Sequence, residues 1–463
     1  MSYAFRVFAA TYGHALVEND SGAEVRCFYG ETSPPGNDGR LFYIPARYRD
    51  SQRRKASFCF AKHRFAGQDF HLSFGIDPSS QRPDWLGELF SWLSGEYESS
   101  IKVRDSIGRV PYVETVFNRE NISALRPHAS LLMAWLESAI SNGKRRESLP
   151  KAPSALRDCE HLVVCSHDID FHFTHQASAL LRLTKNLGIA ALARQPKTHF
   201  FETLRLLRQV IGGRRVGHYV PALMKENRRH DIQSTLFAVS RQAHRRDPNY
   251  RLAQIAAFLR DAAEQGFSVG LHGSYRSIIE DHSLAEEAQL LTESVGRKPL
   301  SGRQHWLRFS HHQDLFDEIA RAGLLADSSL GFPDMIGFRN GASFAFPPYD
   351  FASEAPYPFL EIPLVLMDGS LEAASRQFHQ PAVQLAEAVL EESRACGWGG
   401  IALLWHNPLE PLSVPTEINE VYWQCAARQK CLSEKWISVD QFLAAALPRF
   451  HKAGLLQEVT MDR

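Results

Sequence analysis

Apolar and polar positions divide the chain into two unlike parts. Up to about residue 155 the pattern is irregular, with short apolar stretches such as "RLFYIPARY" and one helical run, "WLGELFSWLSGEY", in which Leu86, Leu89, Phe90 and Leu93 recur at helical spacing. "DSIGRVPY" reads as a turn built on Gly108, and a helix follows near "ASLLMAWLESAISNG", ending at Gly143. The polar, proline-containing "GKRRESLPKAPSALRD" is the linker candidate and puts a domain boundary near residue 155, so that 1–155 forms an accessory domain and 156–463 a second one. Beyond it, short apolar strands alternate with amphipathic helices. "HLVVCSHD", "QSTLFAVS", "FSVGLHG", "LLADSS" and "IALLWHN" read as strands. "YRLAQIAAFLRDAAEQG", "QDLFDEIARAG" and "AVQLAEAVLEESRACG" read as helices closed by Gly266, Gly323 and Gly397, and "KWISVDQFLAAAL" as a last strand and helix. This order predicts an α/β fold with a parallel sheet and crossover helices, either doubly wound or closed into a barrel. Residues 171–232 break the rhythm; "FFETLRLLRQVIGG" within them predicts a helical insertion near the site.

Reacting groups in parallel α/β folds collect at the carboxyl ends of strands, where the strand-to-helix loops lie. Four of the predicted strands end there in titratable residues: Asp168 and Asp170 after "LVVCS", His272 after "FSVGL", Asp327 after "LLA" and His406 after "IALLW". Asp327 taken singly reads as a helix cap, and His406 before Asn407 and Pro408 also fits a loop histidine. Asp168 and Asp170 are harder to explain blandly. Strand alternation puts them on one face, where two carboxylates repel unless a cation or a proton lies between them. Histidine and carboxylate are the available ligands, which suits one divalent ion of the Zn²⁺ type. The second cluster is "GRQHWLRFSHH". Its Arg303 can hold a carboxylate bidentately, although a solvated basic loop is the plainer alternative; His311 and His312 are expected to open the next helix and face solvent.

Composition narrows the setting without naming the chemistry. A length of 463 residues fits two or three domains, and with 52 basic against 52 acidic residues nothing in the balance points to nucleic acid or an anionic membrane as partner, while peripheral contact with a membrane stays open. No apolar run approaches the roughly 18 residues of a spanning helix, and the first residues lack the apolar stretch of a secretory signal. The 7 cysteines form no CxxC pair, so free thiols in a reducing, cytoplasmic setting are expected.

With these residues in hand, the sequence resembles the metal-dependent polysaccharide deacetylase superfamily, the NodB-homology or carbohydrate esterase 4 group, in a branch with an extra N-terminal domain. "SHDID" stands where the superfamily has Thr-Phe-Asp-Asp-Gly, "GLHGSYRS" at its metal-histidine block, "GRQHWLRF" at its Arg-x-Pro-Tyr block, "DSSLGFPDMIGFRNG" at a substrate-side loop, and "LLWHN" at its Leu-x-His block. "LFSWLSGEYE" with "RDSIGRVP" is similar to the end of the branch's N-terminal domain. The resemblance implies a distorted (β/α)7 barrel and removal of an N-acetyl group from a sugar in glycan biosynthesis. It implies Asp168 as general base, His272 as first metal histidine, Arg303 as the arginine orienting the base, His406 as general acid, and the N–H of Trp306 as oxyanion donor. Three positions depart from the pattern. The second aspartate falls on Ile169, which points to Asp170; the second metal histidine falls on Arg276, which cannot ligate; and the proline of the third block is His305. The expected metal set is therefore Asp170, His272 and His305, with His282 and His172 as rivals for the third place. Arg339, Phe338 and Trp405 are expected at the substrate, and Trp306, Phe332 and Tyr349 with them serve either sugar stacking or the core. The alternatives are hydrolysis of another small N-acyl group, such as formyl, on a lipid- or nucleotide-linked sugar, and a catalytically silent glycan-binding module.

Overall fold

The computed structural model describes residues 2–12, 82–141, 160–170, 219–278 except 249, 284–408 and 415–457, with shorter stretches between 26 and 77 and between 180 and 211. The linker candidate at 143–158, most of the insertion expected over 171–232, and both His172 and His282 lie outside the described residues; the insertion's last part is the helix Tyr219–Arg229.

The core of the molecule is one curled, parallel sheet. Its strands in chain order are β1 (His161–Asp168), β2 (Thr235–Val239), β3 (Ser268–Gly273), β4 (Ser301–Gln304), β5 (Ala326–Asp327), β6 (Leu360–Glu361), β7 (Leu364–Met367), β8 (Gly399–Leu404) and β9 (Glu434–Ile437). They run side by side as β6-β5-β4-β3-β2-β1-β8-β7, with β9 against β1. The first half of β1 pairs with β9 through His161 to Val164, and its last three residues, Ser166 to Asp168, pair with β2. At the seam, β6 pairs with β5 and β7 with β8, yet only Ile362 and Pro363 separate β6 from β7. Pro363 has no N–H to give to a ladder, while its carbonyl still accepts from Ala402 N at 2.8 Å. One bent run, Leu360–Met367, thus carries the sheet from one edge to the other, and the path returns on itself as a distorted barrel.

The strands are buried on both faces, which is why they read as near-continuous apolar runs: Val163, Val164 and Cys165 in β1, Leu236, Phe237 and Ala238 in β2, and Ile401 to Leu404 in β8 are all inaccessible or nearly so. Gly270 in β3 makes room for its neighbour, since a side chain there would come within 2.4 Å of the Phe237 ring. Crossover helices Leu252–Glu264, Leu284–Val295, His312–Arg321, Ala382–Cys396 and Thr416–Arg428, with the helix after β9, Val439–Lys452, cover the outside.

Residues 85–141 pack on the barrel through the loop after β5. Gly95, at φ 65°, breaks the predicted first helix into Trp85–Leu93 and Glu96–Ser99. Every residue of Trp85–Leu93 is buried, so it is covered all round rather than lying on a surface. The helix His128–Ser141 receives Gly341 at its start, where Ala129 N and Ser130 N donate to the Gly341 carbonyl at 2.8 and 3.2 Å. Among the described residues no helix is long and apolar enough to cross a membrane.

Candidate active site

The carboxyl ends of β1, β3, β4, β7 and β8 deliver their titratable side chains to one place. Asp168 ends β1 and is buried; its Oδ1 accepts from Arg303 Nη1 at 2.9 Å, and its Oδ2 lies 3.5 Å from His272 Nε2. Arg303, in β4, is buried as well and spends its fork on fixed acceptors. Nη1 also donates to Ser166 Oγ at 2.8 Å, Nε donates to the Ser328 carbonyl at 3.1 Å, and Nη2 donates to Ser328 Oγ. Its guanidinium lies 4.5 Å from the centroid of the Phe237 ring, the ring for which Gly270 leaves space. Arg303 is thus a charge fixed in place by packing and by acceptors on β1 and just past β5.

Asp170, two residues past Asp168, faces three imidazoles. Its Oδ1 lies 3.6 Å from both His272 Nε2 and His305 Nδ1, and its Oδ2 lies 3.4 Å from His406 Nε2. Burial by itself would raise the Asp170 carboxyl, but His305, His272 and His406 outweigh it and hold the group well below the usual carboxylate range. The tautomers of the two inner histidines follow from their outer contacts. His272 Nδ1 is 2.9 Å from the Arg303 carbonyl and His305 Nε2 is 2.9 Å from the Arg246 carbonyl. A carbonyl only accepts, so each of these nitrogens carries a proton, and in the neutral rings the inner nitrogens present lone pairs. Those lone pairs, His272 Nε2 and His305 Nδ1, are 2.9 Å apart. Burial disfavours charge on both rings; the Asp168 and Asp170 carboxylates overcome it at His272 and raise that pKa, while His305 remains lowered.

Two lone pairs at this distance need a positive charge between them. A proton satisfies the two nitrogens and leaves Asp170 Oδ1, which is buried and without a hydrogen-bond partner among the described residues. A divalent cation satisfies all three. Ligand atoms around a tetrahedral ion at ordinary Zn–N and Zn–O lengths lie about 3.3–3.6 Å apart, close to the 2.9, 3.6 and 3.6 Å found here. The outer carbonyl contacts are those by which ligating histidines are oriented in metal sites. Asp170, His272 and His305 therefore fit a metal ion.

His406, two residues beyond β8, is anchored by Asp368, the residue immediately after β7. The Asp368 carboxylate accepts from His406 Nδ1 at 2.9 Å and from the His406 backbone N–H at 2.9 Å, and Asp368 is itself buried. Burial would lower the His406 pKa, but the Asp368 charge, joined by Asp170, raises it well above its ordinary value. Sequence reasoning missed Asp368. The signal was present in "PLVLMDG", a strand-like run ending in a carboxylate, as at β1.

Other expectations are corrected. Arg339 does not face the site: it is buried in a two-point ion pair with Glu98, Nε to Oε1 at 2.9 Å and Nη2 to Oε2 at 2.7 Å. Phe338, Trp405 and Phe332 are at most 2% exposed and belong to the core, whereas Trp306 is 47% exposed beside His305. Asp327 caps no helix; it accepts from Ser329 N and Oγ, both at 2.9 Å, beneath the site. His311 precedes the helix and is exposed, but His312 turns inward, with Nε2 3.1 Å from Glu98 Oε2. His167 stays apart from the cluster, with Nδ1 2.7 Å from the Trp405 carbonyl and Nε2 accepting from Asn227 at 3.0 Å.

No protein-family model and no curated protein sequence matches the chain. Among solved structures the fold is similar to a polysaccharide deacetylase from Bacillus cereus, at 9% identity and TM-score 0.29, covering 60% of this chain and 91% of that one. It is similar to a family 4 acetyl xylan esterase from Clostridium thermocellum in complex with a cobalt ion, at 13% identity and TM-score 0.28, covering 61% and 91%. A peptidoglycan deacetylase from Bacillus subtilis is a third, at 8% identity and TM-score 0.29, covering 64% and 96%.

Proposed function

We propose that the chain is a member of the polysaccharide deacetylase superfamily and a metal-dependent hydrolase that removes a small N-acyl group, an acetyl first of all, from a sugar. The observation that carries this reading is the pair of lone pairs on His272 and His305, 2.9 Å apart and facing the unpartnered Asp170 Oδ1, with a fixed carboxylate and a fixed imidazole beside them.

Amide hydrolysis needs an activated water, a site for negative charge on the acyl oxygen, and a proton for the leaving nitrogen. Asp170, His272 and His305 would hold a divalent ion such as Zn²⁺, which when bound supplies Lewis acidity toward water and the acyl oxygen. Asp168 takes the proton of the attacking water, and Arg303 with Ser166 keeps its carboxylate from turning away. His406 gives a proton to the departing amine from Nε2. Asp368 holds its Nδ1–H, which fixes the tautomer and stabilises the ring when charged, the arrangement of acid and orienting carboxylate met in hydrolytic triads. The N–H of Trp306 would serve as oxyanion donor. The silent-module alternative rests on Arg276 in place of a ligating histidine; the place of His305 beside His272 and Asp170 supports the catalytic reading over it.

Acetate release from an N-acetylated chito-oligosaccharide tests the reading. The wild-type protein is expected to release acetate, and Asp168→Asn to lose about 10²–10⁴-fold in kcat while its bound metal is unchanged. An Asp168→Asn protein with a near-normal rate would overturn the assignment.

A further inference from the structure

Trp306 follows His305 directly, and two successive non-glycine residues there, Trp306 at φ 64° and Leu307 at φ 50°, take the left-handed conformation. Bulky L-residues are disfavoured in that region, so such a pair persists only where its surroundings hold it. The Trp306 indole reaches the Arg246 carbonyl at 3.4 Å, and the contact on the turn's own backbone carbonyl comes from the far side of the sequence. Arg109 Nη1 donates to the Trp306 carbonyl at 2.9 Å. Arg109 is itself fixed, for its Nε donates to Asp105 Oδ2 at 2.8 Å, while Asp105 Oδ1 accepts from Ile107 N at 3.0 Å and from Arg109 N at 2.9 Å. The two segments are stitched further in both directions. Arg104 Nη2 donates to the Ser310 carbonyl at 2.6 Å, Arg308 Nε donates to the Ile107 carbonyl at 2.9 Å, and Ser310 Oγ donates to the Gly108 carbonyl at 3.2 Å.

We infer that Arg109 is a positioning residue for the hydrolysis: by holding the Trp306 carbonyl it fixes the left-handed turn, and with it the aim of the Trp306 N–H and of the His305 ring. The inference rests on the hydrolase reading given above. It gives residues 104–109 a role in the reaction although nothing in them touches the metal ligands. A purely structural role fits the geometry less well. Arg109 and Asp105 are partly exposed, at 21% and 23% of their side-chain surface, and an ion pair of that kind contributes little to stability. Without the guanidinium, Trp306 lies exposed enough for water to take over its carbonyl, and the turn is free to relax while the core stays intact.

The test compares wild type, Arg109→Ala and Arg109→Lys by acetate release and by hydrogen–deuterium exchange of the peptide covering 305–310, with the 161–168 strand and the thermal midpoint as controls. Displacing one oxyanion donor and a ligand by a fraction of their reach predicts a kcat loss of about 10–100-fold in Arg109→Ala with KM within about 2–3-fold. Exchange in 305–310 is expected to speed up, with the controls unmoved, and Arg109→Lys, which restores a donor to the Trp306 carbonyl, is expected to regain most of kcat. A kcat near wild type in Arg109→Ala, a rise in KM alone, or a fall in kcat with unchanged exchange in 305–310 would each overturn the inference. If wild type releases no acetate, the hydrolase reading fails by itself, and the exchange result still decides whether Arg109 holds the turn.

Discussion

His406, the proposed acid, owes its orientation and its charge to its neighbour. Asp368 holds its Nδ1 and its backbone N–H at once, so the ring has one orientation and a charge partner that favours the imidazolium. Asp368→Asn keeps the shape and removes the charge. We expect kcat to fall by about 10²–10⁴-fold with the thermal midpoint little changed, as when the orienting carboxylate of a triad is neutralised; steady-state kinetics with an N-acetylated sugar checks this, and a kcat within a few-fold of wild type would contradict it. Residues of this kind were unevenly legible. Asp168, Asp170, His272 and His406 stand at the ends of apolar runs and declare themselves by position. Asp368 stands at the end of "LVLM", a run of four residues directly after Pro363 that is too short to declare itself a strand. Arg339, read from the sequence as a substrate contact, is buried with Glu98, because a lone arginine in a loop carries no sign of which carboxylate it will meet.

The strands with apolar interiors, β1, β2, β3 and β8, were legible because both their faces are buried. β4 was not. Its four residues are Ser301, Gly302, Arg303 and Gln304, and hydrophobic periodicity is silent where a buried strand carries an arginine satisfied by Asp168, Ser166 and Ser328. The packing of the helix Glu96–Ser99 on the loop holding Arg339 was equally hidden. Glu98 there meets Arg339 and His312; burial would raise its pKa, but Arg339 and then His312 outweigh burial and place it well below the usual range. A depressed carboxyl contributes stability that is present above the unfolded pKa, about 4.3 for Glu, and is lost as pH falls through the folded value. Glu98→Gln strands a buried arginine and is expected to cost about 3–5 kcal/mol at pH 7. Urea titrations at several pH values check it: the gap between wild type and variant should be widest near neutrality and shrink below about pH 5. A gap that grows toward acid pH would contradict the ion-pair account.

For the molecule as a whole, alternating strands and helices were enough to expect a parallel α/β fold, and the choice of a barrel came from the resemblance. The way the ring is completed, through a single run bent at Pro363, depends on pairings about thirty to forty residues away on either side, which no local pattern encodes. The candidate metal site depends on the same long-range geometry, since Asp170, His272 and His305 stand at or just past the ends of β1, β3 and β4 and meet only when the sheet curls. The central claim is that His305 completes the proposed metal site, with Arg276 standing where the superfamily that the sequence resembles has its second histidine. Metal analysis after zinc loading and desalting tests it most directly. The wild-type protein and Arg276→Ala should each retain about one equivalent of Zn²⁺ per chain, and His305→Ala should lose it while keeping its fold by circular dichroism. Retention of a full equivalent by folded His305→Ala would contradict the account.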